Sequence, residues 1–166
     1  MKISVITPSY NQGGYIEETI RSVIGQKGPF ELEYWIIDGG STDRTIDICR
    51  KYEGCGLRWI SEPDRGQTDA LNKGFARSTG DVLGWLNSDD LYEEGALAAV
   101  AGSYGREQFK WCFGNCRNID EKGGEIRELI TRYKNFESRR YSRKRLLTKD
   151  FIPQPAVFIT RFAFEE

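Results

Sequence analysis

The 166-residue chain contains no histidine. Ser-His triads, Cys-His dyads and histidine-ligated zinc are therefore excluded from this stretch. An excess of charge of one sign is also lacking. Its 24 Lys and Arg nearly balance 25 Asp and Glu, for a formal net charge of −1, so no global field points to nucleic acid or to a membrane surface. No apolar run is long enough to span a bilayer. No signal-peptide layout opens the chain, which enters a strand pattern at once. A soluble, cytoplasmic chain is the expectation. The four cysteines, Cys49, Cys55, Cys112 and Cys116, have neither Cys-x-x-Cys nor zinc-knuckle spacing, and reduced, mostly buried thiols are expected. Two nucleotide motifs are missing as well. The turn after the first strand pattern, Thr7-Pro8-Ser9-Tyr10-Asn11-Gln12-Gly13-Gly14, is not Gly-x-Gly-x-x-Gly, and no Gly-Lys-Ser/Thr ending marks a P-loop.

What is present is alternation. Ile3-Ser4-Val5-Ile6-Thr7 reads as a short buried strand ended by Pro8, and Tyr15 to Ile24 carries apolar residues at helical spacing. Glu33 to Asp38 is a second strand, followed by a helix to about Tyr52, and Leu57 to Ile60 is a third, followed by a helix from about Thr68 to Arg77. The fourth strand, Asp81 to Leu86, precedes a helix over about Glu94 to Ser103. Strands alternating with helices in this way predict βαβ units and an α/β fold with a mostly parallel sheet. Ligands of such sheets sit beyond the carboxyl ends of the strands. Polar clusters fall at those ends: Pro8-Ser9-Tyr10-Asn11, Asp38-Gly39-Gly40-Ser41, Glu62-Pro63-Asp64-Arg65 and Asn87-Ser88-Asp89-Asp90.

The last cluster holds two adjacent carboxylates. Neighbouring acids repel, and keeping them together usually requires solvent or a cation. Alone, Asp89-Asp90 is more readily a solvated turn whose aspartate caps the next helix. At the end of the fourth converging strand it reads as a site for Mn²⁺ or Mg²⁺ shared with phosphate oxygens.

These motifs resemble those of the inverting family 2 glycosyltransferases of GT-A fold. The likeness is carried by Ser4 to Asn11, by Ile36-Ile37-Asp38-Gly39-Gly40-Ser41-Thr42-Asp43 and by Asp64-Arg65-Gly66-Gln67-Thr68-Asp69-Ala70-Leu71-Asn72-Lys73-Gly74. Gly80-Asp81 through Asn87-Ser88-Asp89-Asp90, and Pro153-Gln154-Pro155-Ala156-Val157-Phe158, complete it. The resemblance implies a GT-A sheet with helices on both faces and transfer of a sugar, with inversion, from a nucleotide-diphospho-sugar such as a UDP-sugar. It implies a nucleotide site of Thr7, Pro8, Ser9, Tyr10, Asn11, Asp38, Ser41, Asp64, Arg65, Asn72 and Asp89, with Asp90 on the metal. Asp38 would accept a hydrogen bond from the uracil ring N–H. Asn72 and Gly74 would contribute to the nucleotide wall, although Gly74 equally suits close helix packing. Ser41 and Asp43 would line the ribose or cap the following helix. One departure stands out: the first acid of Asp-x-Asp is replaced by Ser88 or Asn87, which places more of the coordination on Asp90 and the diphosphate.

Two halves are expected, 1–104 binding the nucleotide-sugar and 105–166 beginning an acceptor-binding half. Lys110 to Cys116 and Glu125 to Thr131 read as strands of a hairpin across Asp120 to Gly124. The basic run Arg139, Arg140, Arg143, Lys144, Arg145 is a solvated helix face, or a dock for an anionic acceptor such as a lipid diphosphate or for the inner face of a membrane; the acceptor expected of the chain is a saccharide or a lipid-linked one. The family's catalytic base comes from an acceptor-side helix and is expected beyond Glu166, so a truncated chain that binds donor and transfers poorly is anticipated. Truncation would uncover apolar surface and favour self-association. A donor-binding module without catalysis and a nucleotidyltransferase are the competing readings. The second would need a Gly-rich, basic triphosphate loop where Pro8-Ser9-Tyr10-Asn11 stands.

Overall fold

The structure is a computed structural model that describes residues 1–106 and 109–166. Its chain forms two compact units, Met1–Cys112 with Phe158–Glu166, and Phe113–Val157.

In the first unit, four strands run parallel: β1 (Lys2–Ser9), β2 (Glu31–Asp38), β3 (Leu57–Ser61) and β4 (Val82–Trp85). Two more, β5 (Trp111–Phe113) and β8 (Val157–Thr160), complete a six-stranded sheet of order β3-β2-β1-β4-β8-β5. β8 pairs antiparallel with β4, so residues 158–166 return to the first unit. The helices are α1 (Ile16–Ile24), α2 (Thr45–Tyr52), α3 (Gln67–Arg77), α4 (Ala96–Arg106) and a short α7 (Arg161–Glu165).

Strand alternation sorts the core into two layers. Ile3 and Val5 of β1 pack with Ile16, Ile20 and Val23 of α1, Ile48 and Cys49 of α2, and Leu97 and Val100 of α4. Ile6, Ile37 and Leu83 face the other way, onto Ala70 and Phe75 of α3. Helices therefore cover both faces, as in the GT-A fold. On the second face α3 lies close to the sheet. A Cβ on Gly74 would stand 2.4 Å from Ile6 Cγ2 and 3.1 Å from Ile37 Cγ1, so Gly74 serves helix packing.

The parallel register aligns the strand ends. Ser9 is opposite Asp38, Asp38 is opposite Ser61, and Ile6 is opposite Trp85. The loops after β1, β2, β3 and β4 therefore emerge along one edge.

At the opposite end of the sheet, Glu33 ties three segments together. Its buried carboxylate accepts hydrogen bonds from Ser4 Oγ (2.6 Å), Thr79 N (2.7 Å) and Arg58 Nη1 (3.0 Å). Burial alone would raise its pKa, but the bonds from Ser4 and Thr79 and the charge of Lys2 outweigh it and hold the carboxyl below its ordinary value. A depressed folded pKa contributes stability above the unfolded pKa, and this is lost as pH falls through the folded value. Glu33→Gln is expected to cost about 1–3 kcal/mol near neutral pH, the range for buried donors left without an acceptor. The loss should shrink on acidification, which melting temperatures measured between about pH 7 and pH 3 would reveal.

In the second unit, β6 (Asn118–Ile119) and β7 (Glu125–Ile126) form the hairpin, closed by Asp120. The turn falls where the sequence places it, but the strands differ. The expected first strand supplies β5 to the main sheet, and residues from Glu128 onward are helical in α5 (Glu128–Ser138). Arg145, in α6 (Arg143–Leu146), belongs to the basic run but is paired internally: its Nη2 lies 2.6 Å from the buried Glu137 carboxylate, which Lys149 also meets at 3.1 Å. All four cysteines are free thiols, yet only Cys49 is buried and Cys55 is exposed, which corrects the expectation of mostly buried thiols. Among the described residues, no helix is long and apolar enough to cross a membrane.

Candidate functional site

A cavity of about 550 Å³ opens at the strand-end edge of the first unit. Its walls come from all four loops: Pro8, Ser9, Tyr10 and Gln12 after β1, Gly39 after β2, Asp64 and Gly66 after β3, and Asn87, Ser88 and Asp89 after β4. Gln67 and Ala70 add the first turns of α3. The four loops thus converge as the sequence leads one to expect, and of the residues named for the nucleotide site Pro8, Ser9, Tyr10, Asp64 and Asp89 line the cavity.

The other expected nucleotide residues do not line the cavity, for identifiable reasons. Thr7 is fully buried, and its hydroxyl meets Tyr34 Oη at 3.1 Å inside the core. Strand parity decides this, because Thr7 falls on the same face of β1 as Ile3 and Val5. Asn11, at φ +53°, joins two loops: its N–H donates to Ser41 Oγ (2.7 Å) and its Oδ1 accepts from Thr42 N (2.9 Å). Arg65 is exposed, with its backbone N–H on Asp69 Oδ2 at 3.2 Å. Asn72 is exposed on α3, about 200° round the helix from the cavity-facing Ala70. Asp43 accepts from Thr45 N (2.9 Å) and Gly13 N (2.8 Å), which ties the turn leading into α2 to the first loop.

Asp38 is the hub of these ties. It has no solvent exposure. Its Oδ2 accepts from Gly40 N (3.0 Å), Ser41 N (2.8 Å) and Ser61 Oγ (2.7 Å), while Oδ1 accepts from Ser41 Oγ. A carboxylate offers about four acceptor positions, and four donors already address this one. Two backbone bonds continue the knot: Gly39 N donates to Ser9 O (2.8 Å) and Glu62 N to Asp38 O (3.0 Å). Asp38 thereby fixes the geometry of three loops. The sequence signal was present in Asp-Gly-Gly-Ser, because aspartate readily takes up the N–H groups of the turn that follows it.

Two features mark the cavity as built for a polar ligand. Ser9 is 6% exposed and lines the cavity, yet its Oγ has no hydrogen-bond partner. A buried hydroxyl without a partner costs stability, and a ligand oxygen or N–H would satisfy it. The second feature is the acidic end, where Asp89 lines the cavity and Asp90, next in the chain, does not. Asn87 Oδ1 accepts from Gln67 Nε2 (2.7 Å), and Asn87 Nδ2 donates to Asp90 Oδ2 (3.1 Å). Burial, and then the adjacent charge of Asp89, push the Asp90 carboxyl above its ordinary pKa, against the bond from Asn87. That strain is of the kind a cation relieves. Among the described residues no three acids, cysteines or histidines are grouped to hold a metal by themselves. A hard carboxylate such as that of Asp90 fits a Mg²⁺- or Mn²⁺-type ion whose other ligands would be phosphate oxygens and water. Gln12, Gly39, Gly66, Gln67, Ala70, Asn87 and Ser88 complete the walls beyond the residues the sequence reading selected.

A mostly parallel sheet with helices on both faces and a polar cavity at its carboxyl edge defines the class, a GT-A-type α/β protein. The chain belongs to the family described as "Glycosyl transferase family 2", which matches residues 4–166. It is 35% identical over 131 residues to an uncharacterized glycosyltransferase of Mycobacterium tuberculosis, covering 75% of this chain and 50% of that protein. The crystal structure of S. aureus TarS 1-349 in complex with UDP-GlcNAc superposes with a TM-score of 0.65 at 26% identity, over 74% of this chain and 36% of that one. Mannosyltransferase PcManGT from Pyrobaculum calidifontis, in complex with GDP-Man and Mn²⁺, shares the fold with a TM-score of 0.75 at 20% identity, over 98% of this chain and 45% of that one. The chain thus spans about half the length, or less, of these relatives.

Proposed function

We propose that the cavity binds a nucleotide-diphospho-sugar, with UDP as its nucleotide, and that the protein transfers the sugar to a hydroxyl acceptor with inversion. The observation that carries this reading is the cavity itself: four strand-end loops form its walls, with the unpartnered Ser9 Oγ inside it and Asp89 on its wall. The base and ribose lie against the loops after β1, β2 and β3. The diphosphate lies toward Asp89 and Asp90; Asp89 would contact the ribose or the sugar, and Asp90 would hold Mn²⁺ or Mg²⁺. When bound there, such an ion supplies charge compensation for the departing nucleoside diphosphate. The chain's own groups hold the donor. Ser9 Oγ hydrogen-bonds the nucleotide, and the Gln67–Asn87–Asp90 chain orients the acid.

The TarS complex with UDP-GlcNAc supports a uridine nucleotide as the donor. Saccharide and lipid-linked hydroxyls are the acceptor classes this reading takes. Calorimetric titration with UDP, GDP and dTDP, each with and without Mn²⁺, tests it. UDP is expected to bind most tightly, with a clear gain from the metal. No binding of any of the three, with metal present, would rule the reading out.

A further inference from the structure

We propose that Asp64 is the carboxylate that selects the nucleobase, and that Gly39 leaves the space it needs to do so. This inference rests on the donor-site reading above and names a specificity-determining residue within it.

A carboxylate that reads a base must keep one oxygen free and facing the cavity. Asp38 meets neither condition, because it is fully buried and four donors occupy it. Asp64 meets both. It lines the cavity and is only partly buried. Its Oδ1 is fixed by Gly66 N at 2.7 Å, which orients the carboxylate, while its Oδ2 accepts no hydrogen bond among the described residues.

The position of Asp64 depends on the absence of a side chain at residue 39. A Cβ on Gly39 would lie 2.8 Å from Asp64 Oδ2, 3.1 Å from Cγ and 3.2 Å from Oδ1. The carboxylate thus rests directly on the Gly39 backbone. That backbone is itself anchored, since Gly39 N donates to Ser9 O at 2.8 Å. The free oxygen of Asp64 and the unpartnered hydroxyl of Ser9 therefore belong to one strand-end junction, and both residues line the cavity.

The chemistry sets the ligand class. Uracil presents a ring imide N–H between two carbonyls, and a carboxylate oxygen accepts from it. Cytosine presents a lone pair at the same ring position, which a carboxylate repels. A site built around a free acceptor rejects a base that offers no donor there. Asp64 should therefore favour a uridine over a cytidine nucleotide.

Asp64→Asn is a clean probe. Its Oδ1 still accepts from Gly66 N, while an amide NH₂ replaces the free oxygen and opposes the imide N–H. Gly39→Ala displaces the same carboxylate without changing its charge. Calorimetric titration of the chain and both variants with UDP, CDP and inorganic pyrophosphate, all with Mn²⁺, decides the matter. The expected result is a UDP preference in the unmodified chain and a roughly 10–100-fold loss of UDP affinity in Asp64→Asn, the range for a hydrogen bond to a charged group. CDP should lose little or gain, pyrophosphate affinity should hold, and Gly39→Ala should shift in the same direction. If Asp64→Asn keeps the full UDP-over-CDP preference, or loses UDP and pyrophosphate in equal measure, the proposal is overturned while the donor-site reading stands. If the unmodified chain binds no nucleoside diphosphate, both fall together.

Discussion

Asp38→Ala is expected to destabilise the strand-end loops far more than a surface substitution would. It removes the acceptor for two backbone N–H groups, Gly40 and Ser41, and for the hydroxyls of Ser41 and Ser61. Each buried donor left without a partner costs about 1–3 kcal/mol, and such costs are not simply additive. A net loss on the order of 3 kcal/mol is therefore expected, read as a drop in denaturation midpoint at unchanged denaturant slope. Nucleotide affinity should fall for every base alike, because Asp38 sets the positions of loops that others use to bind. Asp38→Asn should fall between the two, since one acceptor oxygen remains. A fully stable Asp38→Ala chain that lost only its uridine preference would instead make Asp38 the base reader and return that role from Asp64.

The second large effect is at the acidic end. Asp90→Ala should abolish the gain in UDP affinity that Mn²⁺ provides and leave metal-free binding nearly unchanged. Removing one member of a close charge pair costs about 2–5 kcal/mol, so the metal-dependent affinity should fall by about 100-fold. Stability should not fall and is expected to rise slightly, because burial and the Asp89 charge already oppose ionisation of Asp90. Titration of UDP with and without Mn²⁺, paired with thermal melting, separates these two readouts. An unchanged metal-dependent gain would remove Asp90 from the site.

The sequence disclosed the scaffold better than it disclosed the aim of individual side chains. Apolar strands alternating with amphipathic helices determine the parallel sheet, and Gly and Pro mark the strand ends, so the four loops were legible. What alternation does to a single polar residue was also encoded but easily missed. Thr7 shares the parity of Ile3 and Val5 and turns into the core against Tyr34. Asn72 falls on the wrong side of α3 relative to Ala70. Asp38 and Ser41 are chemically apt for a nucleotide, yet the turn they begin supplies its own donors, and the carboxylate is taken up locally. Nothing in the sequence shows that residues 39 and 64 meet, because that contact depends on how two loops from neighbouring strands close.

The second unit was less legible because its strands are only two residues long, as at Asn118–Ile119 and Glu125–Ile126. Periodicity has no window in which to register there. The run Leu129-Ile130-Thr131 suits a strand locally, but it lies within α5, where Leu129 is 80% exposed. Intrinsic strand preference is a weak prior that the surrounding structure overrides.

The strand-end cavity is proposed to be the nucleotide site. A crystal structure of the chain grown with UDP and Mn²⁺ tests it most directly. The nucleotide is expected in the cavity, with Ser9 Oγ hydrogen-bonded to it, the base edge on Asp64 Oδ2, and the ion between the diphosphate and Asp90. A nucleotide bound elsewhere, with Ser9 Oγ still unpartnered and no ion at Asp90, would contradict it.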